Sequence, residues 1–203
     1  MANAQTSAGL PGKTALGDRA KISTANPEGD NAGLVVRELA HLGKLNIRGG
    51  TGLAPAIKAH TGCAFPPANN RMNSTGARHV LWMGPDETLL LCEAGREDEL
   101  LRVIRSDAAG QHCAISNVTD GLCALQLSGP AVRNVLAKGC AIDLHPREFG
   151  PGDCAQSLLS HAAITLVATD DDAFLMICRT SFAPYVLDWL QDAALEYGFS
   201  FKG

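Results

Sequence analysis

The chain has 203 residues, 46% of them hydrophobic and 19% charged, and its 17 Lys+Arg against 21 Asp+Glu give a net charge of -4. At roughly 100–200 residues per domain this is one domain or two small ones, with enough apolar material for a core. The basic footprint of a nucleic-acid binder is missing, and no apolar run approaches the roughly 18 residues of a membrane span, so neither nucleic acid nor membrane is expected as a partner.

Residues 1–33 are rich in Gly, Ala, Ser, Thr and Asn and nearly devoid of large apolar residues. Such a stretch buries too little surface to offset its ordering entropy, so it is expected to be a flexible, mobile N-terminal tail that lies along a neighbour in an assembly. Residues 34–203 then form the folded part. Leu34–Glu38 and 45–47 read as extended, Gly49-Gly50-Thr51-Gly52 as a turn, and 53–60 as a short helix with Pro55 in its first turn and Gly62 just past its end. Residues 69–76 read as polar loop, and 80–83 with 88–92 as two strands joined through Gly84-Pro85-Asp86-Glu87. Residues 96–106 place Leu100, Leu101 and Ile104 on one helical face, with acids at the start and arginines toward the end, as the helix dipole favours.

In the second half, 122–127 is strand-like, and Ser128 or Gly129 is placed to cap a helix over 130–138 whose apolar positions are Val132, Val135 and Leu136. Strands are expected at 154–159, 162–167 and 173–178, with turns at Ser160-His161 and Asp170-Asp171-Asp172. Ser181 is placed to cap a last helix whose apolar face is Phe182, Tyr185, Val186, Trp189, Leu190, Ala193 and Tyr197. The element order repeats. The expected fold class is therefore α+β, two related βαββα units over about 34–118 and 119–203, with helices packed on antiparallel-rich sheets.

No motif assembles chemistry. Gly12-Lys13-Thr14 resembles the end of a phosphate-binding loop, but the first glycine's position is Ser7 and no strand precedes it. Gly50-Thr51-Gly52 lacks the third glycine of a dinucleotide fingerprint, since that position is Pro55. Cys140, His145 and Cys154 do not have the paired spacing of a zinc site, and the three adjacent aspartates at 170–172 read as a solvated turn. Trp82, Trp189 and Tyr185 fall on apolar faces, so core packing accounts for them. Seven cysteines at irregular spacings, with no visible secretory signal, suit reduced thiols in a cytoplasmic protein. The charge content is below the usual ~25%, as expected where part of the surface is covered by another chain.

A resemblance supplies what motifs do not. The stretch from Leu127-Ser128-Gly129-Pro130 through Lys138-Gly139-Cys140 to His145-Pro146, with Phe149 and Gly152-Asp153-Cys154-Ala155-Gln156-Ser157 after it, resembles the gamma subunit of heterotetrameric sarcosine oxidase. Lys44-Leu45-Asn46-Ile47-Arg48-Gly49, Phe65-Pro66-Pro67-Ala68-Asn69, Trp82-Met83-Gly84-Pro85-Asp86-Glu87, Arg179-Thr180-Ser181-Phe182-Ala183 and Asp188-Trp189-Leu190 support it, so that the likeness runs in order over about residues 34–197.

The resemblance implies a structural subunit without catalytic, cofactor-binding or metal-binding residues of its own. It would be held with alpha, beta and delta subunits, alpha being the main contact. Those chains would carry FAD, FMN, NAD and zinc, in an oxidoreductase that demethylates sarcosine to glycine, reduces oxygen to hydrogen peroxide and passes the one-carbon unit to tetrahydrofolate. It also implies a fold similar to part of the aminomethyltransferase (glycine-cleavage T-protein) family. The alternative is a stand-alone folate-binding or aminomethyltransferase-like protein. Against that stands Thr169 before the aspartates, where that family's folate pocket has a glycine pair. Thr88 stands where relatives of the gamma subunit would carry an aromatic residue. The candidate interface is Phe65, Pro66, Pro67 and Asn69, because a proline-rich loop with a ring can anchor a partner. Inward packing of Phe65 is the equal alternative.

Overall fold

The structure is a computed structural model that describes residues 12–19, 21–24 and 32–203. In chain order it has β1 (Ile22–Ser23), β2 (Leu34–Glu38), β3 (Gly43–Arg48), α1 (Ala54–Thr61), β4 (Met72–Thr75), β5 (Arg78–Gly84), β6 (Glu87–Cys92), α2 (Glu97–Asp107) and β7 (Ala114–Asn117). The second half adds β8 (Leu122–Ser128), α3 (Val132–Ala137), β9 (Cys154–Leu159), β10 (Ala162–Asp170), β11 (Ala173–Arg179), α4 (Ala183–Ala193) and β12 (Phe199–Phe201).

The strands make two sheets, one of five in the order β4-β5-β6-β3-β7 and one of seven in the order β1-β12-β2-β8-β11-β10-β9. Each half thus runs β-α-β-β-β-α-β, one middle strand and one closing strand longer than the βαββα unit expected. β4 lies inside the stretch read as polar loop, and β7 and β12 are only four and three residues long, too short for alternation to declare them. Reversing the second list gives β9-β10-β11-β8-β2-β12-β1, the order of the first sheet with β2 inserted before the closing strand and β1 added after it. In the first sheet β3 pairs directly with β7. In the second, β2 pairs antiparallel with β8 and parallel with β12, so the chain's leading strand completes its second half.

Alternation within the strands explains the layering. On β6, Leu90 and Cys92 face a core shared with Ile57 of α1 and with Leu100 and Ile104 of α2, while Leu89 and Leu91 face the other sheet. On β11, Phe174, Met176 and Cys178 face α3 and α4, while Leu175 and Ile177 face the first sheet. The sheets therefore lie face to face, with a helix pair outside each. The short linker between the halves is held from both sides. Lys44 of β3 donates through Nζ to Thr119 O at 3.3 Å, and Thr180 Oγ1 donates to Asp120 O at 2.7 Å.

Three local expectations are corrected. No side chain caps α3 or α4; a turn at Gly129 (φ 125°) leads into α3, and a 3-10 turn over Thr180–Phe182 leads into α4. That 3-10 turn winds about 3 residues per turn instead of 3.6, so Phe182 falls out of phase. The inward face of α4 is Ala183, Val186, Leu187, Leu190 and Ala193, and both Phe182 and Tyr185 are left exposed. The expected tail is partly fixed. Leu16 is buried in the second helix–sheet core, Arg19 Nη2 donates to Asp188 Oδ2 at 2.9 Å, and β1 pairs with β12. One well-placed leucine and a pair of backbone partners hold a stretch whose composition alone is too polar to fold. The remainder of the tail, residues 1–11, 20 and 25–31, lies outside the described residues.

Candidate functional site

A cleft of about 600 Å³ lies between the facing surfaces of the two sheets. Asn46 of β3, Met83 of β5, and Glu87 and Leu89 of β6 line one wall; Gln156, Thr165, Ile177 and Arg179 line the other. On the seven-stranded side, register stacks the residues in rows. Gln156, Thr165, Ile177 and Ala124 stand opposite one another across four strands. One step nearer the mouth, Leu158 pairs with Ala163, Arg179 pairs with Leu122, and Ala163 lies one residue beyond the Ile164–Cys178 pair, beside Arg179. In the inner row Thr165, Ile177 and Ala124 are buried and Gln156 is exposed; in the outer row Leu158, Ala163 and Arg179 are exposed.

The polar groups of the cleft are mostly engaged. Glu87 Oε1 accepts from Asn46 Nδ2 at 2.5 Å and its Oε2 from Arg48 Nη2 at 2.8 Å, so each carboxylate oxygen already holds one donor of the chain. Gln156 Nε2 donates to Met83 O at 2.7 Å and ties the two walls together. Cys178 borders the cleft, but its thiol lies in the core under the helices. The wall thus presents apolar side chains and one guanidinium, Arg179, which makes no ion pair among the described residues. Such an arrangement can receive a shape and a negative charge.

The residues singled out in the sequence are scattered. The Cys154 thiol donates to Trp82 O at 3.6 Å, Cys140 is buried beside Ser157, and His145 Nδ1 accepts from Arg147 N. Among the described residues no three His, Cys, Asp or Glu side chains converge on a metal position. The aspartates at 170–172 form an exposed turn whose backbone carbonyls serve the fold: Asp171 O accepts from Arg133 and Asp172 O from Gly129 N. In the proline loop, Phe65 is half-buried against the first helix–sheet core and Pro66 is buried, while Pro67 and Asn69 are exposed. None of the cleft's lining was singled out as a site. The available signal was Asn46 and Glu87, polar residues at inward-facing positions of otherwise apolar strands.

The most distinctive stretch of sequence, residues 127–157, turns out to be a packing unit. Arg133 lies over the Phe174 ring, 4.9 Å from its centroid, and donates through Nη1 to Leu144 O (2.5 Å) and Phe149 O (3.0 Å) and through Nε to Asp171 O (2.9 Å). Phe149 stacks on Phe174. A Cβ at Gly129 would meet Gly33 O at 2.4 Å, and one at Gly139 would meet the Trp189 ring at 2.3 Å. Both glycines mark close approaches that any side chain would block.

The family described as sarcosine oxidase, gamma subunit, matches residues 49–196. Sarcosine oxidase subunit gamma of Corynebacterium sp. (strain U-96) is 33% identical over 182 residues, spanning 88% of this chain and 87% of that one. Its counterpart from Arthrobacter sp. is 30% identical over 182 residues, 87% of this chain and 88% of the relative. Among solved structures, a chain of the heterotetrameric sarcosine oxidase from Corynebacterium sp. U-96 in complex with pyrrole 2-carboxylate aligns with a TM-score of 0.80 at 28% identity, covering 91% of this chain and 95% of that chain. The glycine cleavage system aminomethyltransferase T from Bartonella henselae aligns with a TM-score of 0.62 at 12% identity, covering 85% of this chain and 48% of that one, a likeness of fold.

Proposed function

This chain belongs to the sarcosine oxidase, gamma subunit family, and on that premise we propose that it is a structural subunit of a heterotetrameric sarcosine oxidase. The observation that carries the reading is the use to which the stretch 127–157, which bears the resemblance, is put. Arg133, Gly129, Gly139 and Phe149 build the fold, and the one carboxylate in the cleft is held by Arg48 and Asn46. In this reading the chain assembles with alpha, beta and delta subunits, chiefly alpha, and those chains hold FAD, FMN, NAD and zinc. The complex demethylates sarcosine to glycine, reduces oxygen to hydrogen peroxide and transfers the one-carbon unit to tetrahydrofolate. Exposed Pro67 and Asn69 remain available as contact residues, and seven free thiols, six of them buried, suit a cytoplasmic setting.

The experiment is affinity purification of the tagged full-length chain from its native cell at low salt. Co-purification of further subunits, a flavin spectrum and sarcosine-dependent peroxide formation support the reading. A colourless, monomeric eluate overturns it. Stoichiometric folate binding by that eluate would instead assign the cleft, which is in the usual volume range of small-molecule sites, to a stand-alone folate-binding protein.

A further inference from the structure

Among the described residues four large apolar side chains are exposed, and one of them, Leu158 at 52%, shares its row with Ala163, Arg179 and Leu122 of the cleft's lining, while Phe182 at 38% and Tyr185 at 37% lie outside that lining, at the turn into α4 and in its first turn. Register places Leu158 against Ala163. Tyr185 Oη donates to Ser160 Oγ at 3.0 Å, in the turn that joins those two strands, and Phe182 stands three residues past Arg179 at the start of α4. The row Leu158, Ala163, Arg179 and Leu122 therefore forms a strip across four strands, about 14 Å long at about 4.8 Å per strand. At its centre is the guanidinium that no carboxylate of the described chain engages. An exposed, partly apolar strip on a sheet face marks a surface suited to a partner.

We propose that this strip is the docking surface for an extended segment of another subunit, one that lays an apolar side chain over Leu158 and Ala163 and sets a carboxylate on Arg179. The inference rests on the subunit reading above and adds where the contact lies and what chemistry it takes. Charge selects the occupant. A second copy of this chain, related by a two-fold axis through the strip, would bring Arg179 against its own mate, a like-charge contact that disfavours assembly. An acidic, apolar segment satisfies both features at once, and about four extended residues cover the strip's length.

The test uses the full-length chain co-expressed with the other subunits of its oxidase, with the fraction co-eluting measured by gel filtration over a range of concentrations. Leu158→Asp and Arg179→Glu are each expected to weaken association at least tenfold, the order seen when a central interface anchor is lost. Leu195→Asp, at an equally exposed leucine at the far end of α4, is expected to change it less than twofold. Arg179→Ala, which removes only an exposed side chain, is expected to flatten the salt dependence of association; it keeps the test open if Leu158→Asp does not fold. Strip variants that co-elute like the wild type overturn the proposal. So does a Leu195→Asp variant that is weakened as much, or a wild-type homodimer that Leu158→Asp splits. A wild-type chain that co-elutes with no other subunit removes the subunit reading itself, and the proposal with it.

Discussion

Thr88 sits on β6 beside Leu90 and Cys92, 2% exposed, with a hydroxyl that has no hydrogen-bond partner. A buried, unpaired hydroxyl costs about 1–3 kcal/mol, and valine fills the same space without it. Thr88→Val is therefore expected to raise the free energy of urea unfolding by about 1 kcal/mol, whereas a fall would show the hydroxyl to be partnered in solution. Arg133 is a mixed case: its Nη2 is buried without a partner, but its Nε and Nη1 donate to three backbone carbonyls that fix the turns around α3. Arg133→Met keeps the contact with Phe174 but strands those carbonyls, and the same measurement is expected to show a loss of about 3 kcal/mol.

The buried thiols make stability depend on alkaline pH. Burial, aided by Glu97 and Glu93, pushes Cys92 from 9.0 to about 11, and burial pushes Cys154 from 9.0 to about 11. Between those values the native state keeps protons that the unfolded chain has lost. Their contribution is thus complete below pH 9 and declines as pH rises toward 11. Lys44 acts in the other direction. Burial lowers its pKa from 10.5, so its contribution to stability grows as pH climbs to that value. Cys123 and Cys140 are raised too and Cys178 is lowered, so with four raised thiols against one lowered thiol and one lowered amine the denaturation midpoint is expected to fall between pH 9 and 11, and Cys92→Ala is expected to make that fall shallower.

At the scale of elements, the helix α3 and its flanking turns show how tightly the second repeat is packed. The Gly139 position faces the Trp189 ring so closely that one methyl group must displace it. Gly139→Ala is expected to lower stability by about 1–3 kcal/mol, as overpacking does, and to shift tryptophan fluorescence with it. Legibility in the sequence followed local periodicity. β5 and β6 read as short apolar runs bounded by a turn, α2 and α4 repeat with helical period, and Gly62 stands just past α1 as expected, in the left-handed conformation (φ 75°). β7 and β12 escaped because four and three residues hold too little alternation. The cleft escaped for another reason: its mouth exists only because register sets Leu158, Ala163 and Arg179 in one row, and no local pattern encodes which strands become neighbours.

The whole molecule is a repeat whose second copy is incomplete without the start of the chain. β2 lies between β8 and β12, with Leu34 and Val36 fully buried on its inward face. Those two side chains contribute about 4 kcal/mol of burial between them, against a total stability that for most domains is about 5–15 kcal/mol. Removing the strand also opens backbone edges on both neighbours, deep inside the sheet. Deletion of residues 1–38 is therefore expected to abolish cooperative unfolding, even though every element of the second repeat's own sequence is retained. Deletion of residues 1–24 removes Leu16 and β1 but leaves β2 in place, and it is expected to cost about 2–3 kcal/mol while keeping a single transition. Urea titrations of the two truncations separate the cases. If the longer deletion still unfolds cooperatively near the wild-type midpoint, the inserted strand is dispensable and the second repeat closes β8 directly on β12, as the first closes β3 on β7.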